Sequence, residues 1–331
     1  MPRRTVLTML LASLLLGGIA EFLPADESAA SRSESEEDSV ARGVAFLARE
    51  VPQWRVDNKC YSCHNNGDAA RALMRARKQG VRFEQDALAN TLTWLRRPDA
   101  WRHNGGEGEF NDRRLAAIQF GAALTTAHQT GLLRETTALR RAAALVADQQ
   151  QTDGRWQIDS PPTIGSPATY GTALATASAL RLLIAADDAK FQEPITRAKG
   201  WLRKFEPKNT PDTAGVLLGL AGDDDPAALA QRQNCITRLR KAQSDSGGWG
   251  PYTVSRAEPF DTAIAVLALA QSAEFDGRQE MIARGKQFLI ETQLDDGSWP
   301  ETTRPSGDVS YAQRLSTSGW CTLALLATRE G

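Results

Sequence analysis

The stretch ARGKQFLIETQLDDGSW, from Ala283 to Trp299, decides the fold because its parts recur along the chain. A Phe-Leu pair lies late in a helical run, a Gln follows four residues after the Leu, and a Gly-x-Trp turn comes next. The Gln and the turn recur around QTDGRW (151–156) and SDSGGW (244–249). Equivalent residue pairs recur at intervals of 37 to 56 residues, which leaves room for two helices and their loops, at Phe46-Leu47, Trp94-Leu95, Leu145-Val146, Trp201-Leu202, Arg238-Leu239 and Phe288-Leu289.

Each unit opens a second helix that is rich in Ala and Leu. The run TAIAVLALA from Thr262 is apolar on every side, whereas the helix around Phe288 carries Arg284, Lys286 and Glu291. A helix that is apolar all round must be surrounded by protein, and an amphipathic helix can lie outside it. An Asp or Ser before such a run is typical of an N-cap. The second helices are therefore predicted to begin at Asp68, Asp112, Gly171, Asp212, Asp261 and near Ser318.

The composition favours an all-α protein. The 331 residues include few aromatic residues (7%) and many helix formers, and 39 Lys and Arg are balanced by 40 Asp and Glu. The net charge of −1 makes binding to nucleic acid a poor hypothesis. Six inner helices ringed by six outer ones satisfy the pattern, so residues 40–331 are predicted to form one α/α toroid. An open solenoid of helix pairs is the alternative.

The repeat carries a family resemblance. The stretch Ala283 to Trp299 resembles the QW repeat of squalene-hopene cyclases, and the Asp-Thr-Ala helix starts are similar to those of terpenoid cyclases and of protein prenyltransferase β subunits. The resemblance covers roughly Ser39 to Arg329, and it implies an α/α toroid with a central cavity for an isoprenoid or another apolar ligand. It says less about activity, because a fold does not fix a function.

The catalytic groups of these enzymes are not matched. The triterpene cyclases that the chain resembles use an Asp-x-Asp-Asp motif before Thr-Ala, and Phe260 stands at the position of its proton donor. Asp261 and Asp212 are left as displaced acids, although an N-cap role explains both. The Asp-rich run at 223–225 is predicted to be a solvated turn.

The prenyltransferase zinc site is also unmatched, because no His lies near Cys321, so no zinc is expected. Cys235 and Cys321 lie in helical runs, where a buried inert thiol is usual. A disulfide between them stays open as an alternative.

One motif in the first unit carries chemistry of its own. Cys60, Cys63 and His64 form Cys-x-x-Cys-His, the attachment sequence of c-type haem. Two thiols at this spacing reach the two vinyl groups on one edge of a porphyrin, and the next side chain can turn under the ring to ligate iron as the proximal ligand. A redox pair of thiols and a structural metal site are the alternatives.

The second axial ligand would decide what such a haem does. His103 lies in the loop of the second unit that corresponds to the loop of His64, and Met74 lies in the second helix of its own unit. These two side chains are the candidate distal ligands, and an open iron is the alternative. His128 is predicted to be a satisfied helix-end residue at the opposite rim. Aromatic side chains that could pack on the porphyrin or in the ordinary core are Trp54, Tyr61 and Trp101.

The N-terminus is predicted to be an export signal. Residues 1–20 combine Arg3 and Arg4, a short apolar run and small residues at the end, and an uncleaved anchor is the alternative. Residues 21–39 are rich in Ser and acidic side chains and are predicted to be a flexible linker. The chain is therefore expected to act in the periplasm or otherwise outside the cytoplasmic membrane, where haem is also attached covalently.

Three functions of different classes follow. The first is an exported monohaem c-type protein that transfers electrons to a periplasmic redox partner or performs haem-linked chemistry. The second is a terpenoid cyclase-like or prenyltransferase-like enzyme that acts on an isoprenoid in the central cavity. The third is a non-catalytic scaffold whose cavity or rim binds a lipid or peptide. The oligomeric state does not follow from the sequence.

Overall fold

A computed structural model describes residues 26–158, 163–272 and 275–329, with side chains from residue 36 onward. The described chain is helical and contains no strand. Its helices are α1 (Asp26–Asn58), α2 (Ala70–Lys78), α3 (Ala89–Leu95), α4 (Arg113–Gln129), α5 (Thr136–Ala147), α6 (Gly171–Ala186), α7 (Gln192–Lys204), α8 (Thr210–Gly219), α9 (Pro226–Ala242), α10 (Pro259–Ala270), α11 (Arg278–Glu291) and α12 (Tyr311–Ala327). A π-helical turn (Cys63–Ala69) runs directly into α2.

The helices form two concentric rings. The even-numbered helices are the inner ring, and each packs on the next one along the chain. The last of them, α12, packs back on α2 and on the π-helical turn, while the outer helices α1 and α11 also meet. The ring is therefore closed, which confirms the predicted α/α toroid and excludes the open solenoid. Residues 260–269 of α10 are all buried, as a helix surrounded by protein requires.

The repeated Gln links neighbouring units. The Nε2 atoms of Gln150, Gln243 and Gln293 each donate to the carbonyl oxygen of the Gly in their own turn, at 2.7–2.9 Å. Each also donates to a carbonyl of the next outer helix, at 2.9–3.0 Å, and these acceptors are Pro194, Met281 and Ser39. Because Ser39 belongs to the first unit, the bond from Gln293 is the repeat contact that closes the ring.

The repeated Trp links the two helices of one unit. The indole Nε1 atoms of Trp156, Trp249 and Trp299 each donate over 2.7 Å to a carbonyl near the end of the preceding outer helix. The backbone N–H groups of the same residues donate to hydroxyls of the following inner helix, which belong to Thr176, Thr262 and Ser318. All three indoles are buried, so their hydrogen bonds are made away from water.

The repeated Gly lets two backbones approach each other. Gly154, Gly247 and Gly297 have φ between +84° and +99°, a region that L side chains rarely adopt. A Cβ atom at Gly297 would lie 2.3 Å from the carbonyl oxygen of Arg42, and the other two glycines meet Arg197 and Arg284 in the same way. These three positions therefore require Gly for two independent reasons, the positive φ and the close approach of a neighbouring backbone.

Several predicted helix starts differ from the structure. Asp112 is an N-cap as predicted, but Asp212 and Asp261 lie within the first turns of α8 and α10. Asp68 lies inside the π-helical turn. The last inner helix begins at Tyr311, capped by Ser310, so that Ser318 lies in its interior. The Ser and Thr hydroxyls of these helices bind the Trp backbone at different depths, and for this reason they do not mark helix ends.

The structure describes only part of the N-terminal segment for which the sequence gives predictions. Residues 1–20 and the first part of the linker lie outside the described residues. Helix α1 begins at Asp26, so residues 26–39 are helical where the sequence predicts a flexible linker. Contacts with α11 and its following turn explain the docked end of this segment: Glu36 pairs with Lys286 at 2.6 Å, and Ser39 donates to Gln293 at 2.7 Å. Among the described helices, none is both long and apolar enough to cross a membrane.

The ring-closing glycine gives a prediction for stability. Gly307 also has a positive φ (+85°), but a Cβ there meets nothing within 4 Å. Gly307→Ala should therefore lower the free energy of unfolding only by the cost of a positive φ for Ala, about 1–2 kcal/mol. Gly297→Ala must in addition displace the backbone of Arg42 and should lower the free energy of unfolding by about 2 kcal/mol more. Urea unfolding followed by circular dichroism measures both free energies, and equal losses would contradict the close approach of Gly297 to the backbone of Arg42.

Candidate functional site

The two ends of the toroid differ. An outer helix follows each inner helix from α2 to α10 and returns the chain, so all six inner helices run in the same direction. The long loops gather at their N-terminal ends, and short turns connect their C-terminal ends. A central cavity lies between the inner helices, mostly toward their C-terminal ends, and a buried polar cluster lies nearer their N-terminal ends.

The cavity has a volume of about 580 Å³ and takes its lining from all six inner helices. This volume lies within the usual range for small-molecule sites. Leu174, Leu218, Leu267, Leu323 and Trp320 supply much of its apolar wall. Among the residues that the structure describes, the cations that line it are Arg71, Arg75 and Arg181, and no Asp or Glu lines it.

The three arginines are only partly compensated. Arg71 lies over the ring of Trp320, with Cζ 4.6 Å from the ring centroid, and its Nη1 is 4.0 Å from Oδ1 of Asp68. Arg181 donates to Gln271, the residue directly after the end of α10. Burial and the charges of Arg71 and Arg75 lower the pKa of Arg181 to about 10, so it remains a cation at neutral pH.

Asp68 is the centre of the polar cluster. Its side chain is completely buried, and its carboxylate accepts hydrogen bonds from the hydroxyls of Tyr170 and Ser316 and from Nε2 of Gln119 at 2.8 Å. These partners lie at the start of α6, on α12 and on α4, so one carboxylate joins four inner elements. Burial raises the pKa of Asp68, against the opposing effects of Arg71 and the three donors.

Tyr170 is held in a strained conformation beside this carboxylate. Its φ is +57°, which is uncommon for a bulky residue. The ring packs edge-on against Trp320, with centroids 5.7 Å apart, and its hydroxyl is fixed by Asp68. Since Arg71 and Trp320 line the cavity and Asp68 does not, these two side chains separate the carboxylate from the cavity.

The displaced acids predicted from the sequence have structural partners. Asp261 is completely buried and is held by Nη2 of Arg304 at 2.9 and 3.1 Å, while the same guanidinium binds Glu258 at 2.7 Å. Burial raises the pKa of Asp261 to about 7, although Arg304 opposes the shift. Phe260 is also buried and packs against Trp320. Both residues lie at the N-terminal end of α10, away from the cavity.

Asp212 belongs to a helix-capping arrangement. Its backbone N–H donates to the side chain of Asn209 at 2.8 Å, and Nδ2 of Asn209 donates back to its carboxylate at 2.9 Å. Burial raises the pKa of Asp212 to about 6. It lies in neither the cavity nor the Asp68 cluster. In the Asp-rich turn, Asp223 binds Arg203 and Asp225 caps α9.

The Cys-x-x-Cys-His motif lies at the boundary between the first two units. Cys60 and Tyr61 follow α1, and Cys63 and His64 begin the π-helical turn. Tyr61 stacks on Trp94 with centroids 4.3 Å apart, and its N–H donates to the carbonyl of Asn104 at 2.7 Å. The loop after His103 therefore contacts the motif, as the alignment of equivalent loops predicts.

The motif residues differ in their electrostatic state. All four cysteines, Cys60, Cys63, Cys235 and Cys321, are free, and the last two are buried in helices. Burial, with a smaller effect from Asp68, raises the pKa of Cys63 to about 12. Burial lowers the pKa of His64 to about 4, so its imidazole is neutral at physiological pH, and its Nδ1 has no hydrogen-bond partner.

The candidate distal ligands lie in different environments. The side chain of His103 is 67% exposed and lies 4.0 Å from Glu109. Met74 is completely buried in α2. His128 is half-buried in the last turn of α4, as predicted. Trp101 is buried and donates to the carbonyl of Trp94, whereas Trp54 is half-buried. Among the described residues, no three His, Cys, Asp or Glu side chains come together as a metal site.

Asp68 and the arginines of the cavity were not among the site residues predicted from the sequence. The signal available for the arginines is their position: Arg71 and Arg75 are four residues apart on α2, and Arg181 interrupts the apolar run of α6. For Asp68 the sequence offers no such signal, because an Asp before an inner helix also fits an N-cap. A second groove, of about 510 Å³, lies outside the ring beside Lys208, Arg238 and Tyr252.

Comparison of sequences gives one partial similarity. No protein-family model matches the chain. A probable squalene-hopene cyclase of Sinorhizobium fredii (strain NBRC 101917 / NGR234) is 28% identical over 145 residues, which cover 36% of this chain and 22% of the relative. The matched region thus spans about a fifth of that protein's length.

Comparison of structures extends over most of the chain. The apo type II terpene cyclase MstE from Scytonema has a TM-score of 0.58 at 14% identity, covering 90% of this chain and 99% of that chain. The ent-copalyl diphosphate synthase of Streptomyces platensis has a TM-score of 0.54 at 20% identity, covering 79% and 50%. A polysaccharide lyase has a TM-score of 0.53 at 13% identity, covering 88% and 98%. These likenesses show a terpenoid cyclase-like fold.

The Asp68 cluster gives a pH prediction. Its pKa in the folded protein is raised above the ordinary value of 3.8, so the native state keeps a proton that the unfolded chain releases. Wild-type stability should therefore fall, relative to Asp68→Asn, as the pH rises above about 4. Urea midpoints between pH 4 and 8 measure the difference. The urea midpoint of Asp224→Asn, a substitution at an exposed position, should change with pH as that of the wild type does. The same pH dependence in Asp68→Asn and the wild type would contradict the prediction.

Proposed function

We propose that the central cavity binds an elongated apolar molecule of the isoprenoid class. The observation that carries this proposal is a cavity of about 580 Å³ whose wall comes from all six inner helices. Leu, Ala and Trp side chains on α6, α8, α10 and α12 form an apolar surface inside a closed ring. Burial of apolar ligand surface there would supply the binding free energy.

The structural neighbours support an apolar ligand of this class. One structure of an MstE variant holds geranylgeranyl dihydroxybenzoate as its substrate, and another neighbour is named for copalyl diphosphate. Both names describe an isoprenoid skeleton. The same fold also occurs in a polysaccharide lyase, so the apolar wall of this cavity, and not the fold, supports an isoprenoid ligand.

Acid-initiated cyclisation is not part of the proposal. Phe260 cannot donate a proton, and Asp261 is tied to Arg304 at the far end of α10. Asp68 is separated from the cavity by Arg71 and Trp320. No carboxylic acid lines the cavity in the described part of the chain, so the geometry there favours binding of the ligand over its protonation.

A cavity-filling substitution tests this function. Ser178 lines the cavity on α6, so Ser178→Trp should occupy it and reduce the affinity for farnesol by at least about tenfold. Thr196→Trp adds the same ring at an exposed position of α7 and should leave binding unchanged. Isothermal titration calorimetry measures both. Unchanged binding to Ser178→Trp, or no binding of farnesol to the wild type, would contradict the proposal.

A c-type haem at the Cys-x-x-Cys-His motif is a second candidate function, with transfer of electrons to a periplasmic partner. The observation that favours it is a half-buried His64 with an unpartnered Nδ1, next to two free thiols. The residues fit the group: Cys60 and Cys63 would hold it by thioether bonds, and His64 would ligate its iron. When bound, the haem would supply one-electron redox chemistry.

The burial and contacts of His103 and Met74 affect which of them could act as the distal ligand of such a haem. Burial keeps His64 neutral, which is the form that ligates metals. His103 is exposed, and its loop is bonded to the motif, so it can be redirected without loss of core contacts. Met74 would have to leave the core to reach a ligand position. Of the two candidates, the structure therefore favours His103.

The haem proposal predicts a covalent adduct. Chain exported together with a cytochrome c maturation system should gain a haem-sized mass that survives denaturation, with a Soret band. Cys60→Ala combined with Cys63→Ala should remove both signals. Cys235→Ala, at a buried thiol outside the motif, should keep them. A colourless wild-type chain of unmodified mass would contradict the haem proposal and would not affect the cavity proposal.

A further inference from the structure

The cavity is polar on one side and apolar on the other. Helices α2, α4 and α6 are consecutive in the ring and supply Arg71, Arg75, Thr125, Gln129, Ser178 and Arg181. Helices α8, α10 and α12 complete the ring and supply mainly Leu and Ala, and α6 adds apolar residues such as Leu174 to this wall. We call the first set the polar arc. A ligand that fills the cavity therefore meets cations at one end and an aliphatic wall along the rest.

The polar arc has more positive charge than its surroundings neutralise. Three guanidinium groups line a space to which residues 36–158, 163–272 and 275–329 contribute no carboxylate. The carboxylate nearest to Arg71 is Asp68, at 4.0 Å, and its oxygens already accept bonds from Tyr170, Ser316 and Gln119. Cations in a partly buried site are costly unless an anion accompanies them.

Arg71 also has donors without acceptors. Its Nε and Nη1 atoms are buried and have no hydrogen-bond partner. Arg75 has one long bond to Gln129, at 3.4 Å. A planar guanidinium presents paired N–H groups whose spacing matches two oxygens of a phosphate or carboxylate. The Nη1 atom of Arg71 faces Asp68, so the position for an oxyanion is defined by the three guanidinium groups that line one cavity and by the weakly used donors of Arg75.

We propose that the polar arc is an anion subsite, in which Arg71, Arg75 and Arg181 hold the phosphate or carboxylate end of an apolar ligand. This inference rests on the proposed function, because the remainder of the ligand would occupy the apolar wall. The ligand class becomes an amphipathic anion, for example a prenyl phosphate or a prenyl carboxylate. A neutral isoprenoid would leave the guanidinium groups uncompensated.

Titration calorimetry on the full chain tests the subsite with four probes: farnesyl phosphate, farnesoate, farnesol and inorganic diphosphate. At least one of the two anionic prenyl probes should bind about tenfold or more tightly than farnesol, and the tighter one identifies the head group. Arg75→Gln and Arg181→Gln should each weaken that probe by about tenfold and leave farnesol unchanged. Arg77→Gln, at an exposed position of the same helix as Arg75, should change neither.

The outcomes separate the two proposals. If farnesol binds as tightly as both anions, and both Gln variants bind them as the wild type does, the anion subsite is wrong and the apolar cavity stands. If farnesol does not bind, but inorganic diphosphate does and loses affinity in Arg181→Gln, the subsite stands without the isoprenoid function. If no probe binds, both proposals are overturned.

Discussion

The bond from the side chain of Gln293 to the carbonyl of Ser39 joins the last unit to the first, and the rest of the structure depends on this closure. The same amide also binds Gly297 in its own turn, so one side chain ends an outer helix and fixes its neighbour. Without closure, α2 and α12 would each expose an apolar face, and the space between the six inner helices would be open to water. The cavity is therefore a product of the ring and not of any single helix.

The closed ring also separates two kinds of chemistry. At the N-terminal ends of the inner helices, Asp68 and Asp261 are enclosed by donors and serve to tie elements together. Arg71, Arg75 and Arg181 instead line free volume. A hydrogen-bonded buried network gives rigidity, whereas cations that line a cavity indicate a ligand. The candidate site is thus found where charged groups face free volume.

Much of the fold could be predicted from the sequence, because the Gln and Gly-x-Trp spacing fixes local contacts that recur identically. The helix starts were less accessible: an Asp at the third position of a helix, such as Asp261, and an N-cap such as Asp112 give the same local pattern. The polar arc depends on which helix faces meet inside the ring. The sequence shows Arg71, Arg75 and Arg181 within inner helices, but it does not show that long-range packing brings them to one cavity. The Cys-x-x-Cys-His motif differs from the polar arc because its local spacing can be recognised directly in the sequence. The structure adds only the surroundings of the motif.

The central claim is that a closed toroid holds an amphipathic ligand between an aliphatic wall and the polar arc. A crystal structure of the chain soaked with farnesyl phosphate tests it most directly. The account predicts continuous density inside the ring, with the prenyl chain against Leu218, Leu267 and Leu323 and the phosphate beside Arg75 and Arg181. Density only in the outer groove beside Lys208 and Tyr252, with the central cavity filled by water, would contradict it.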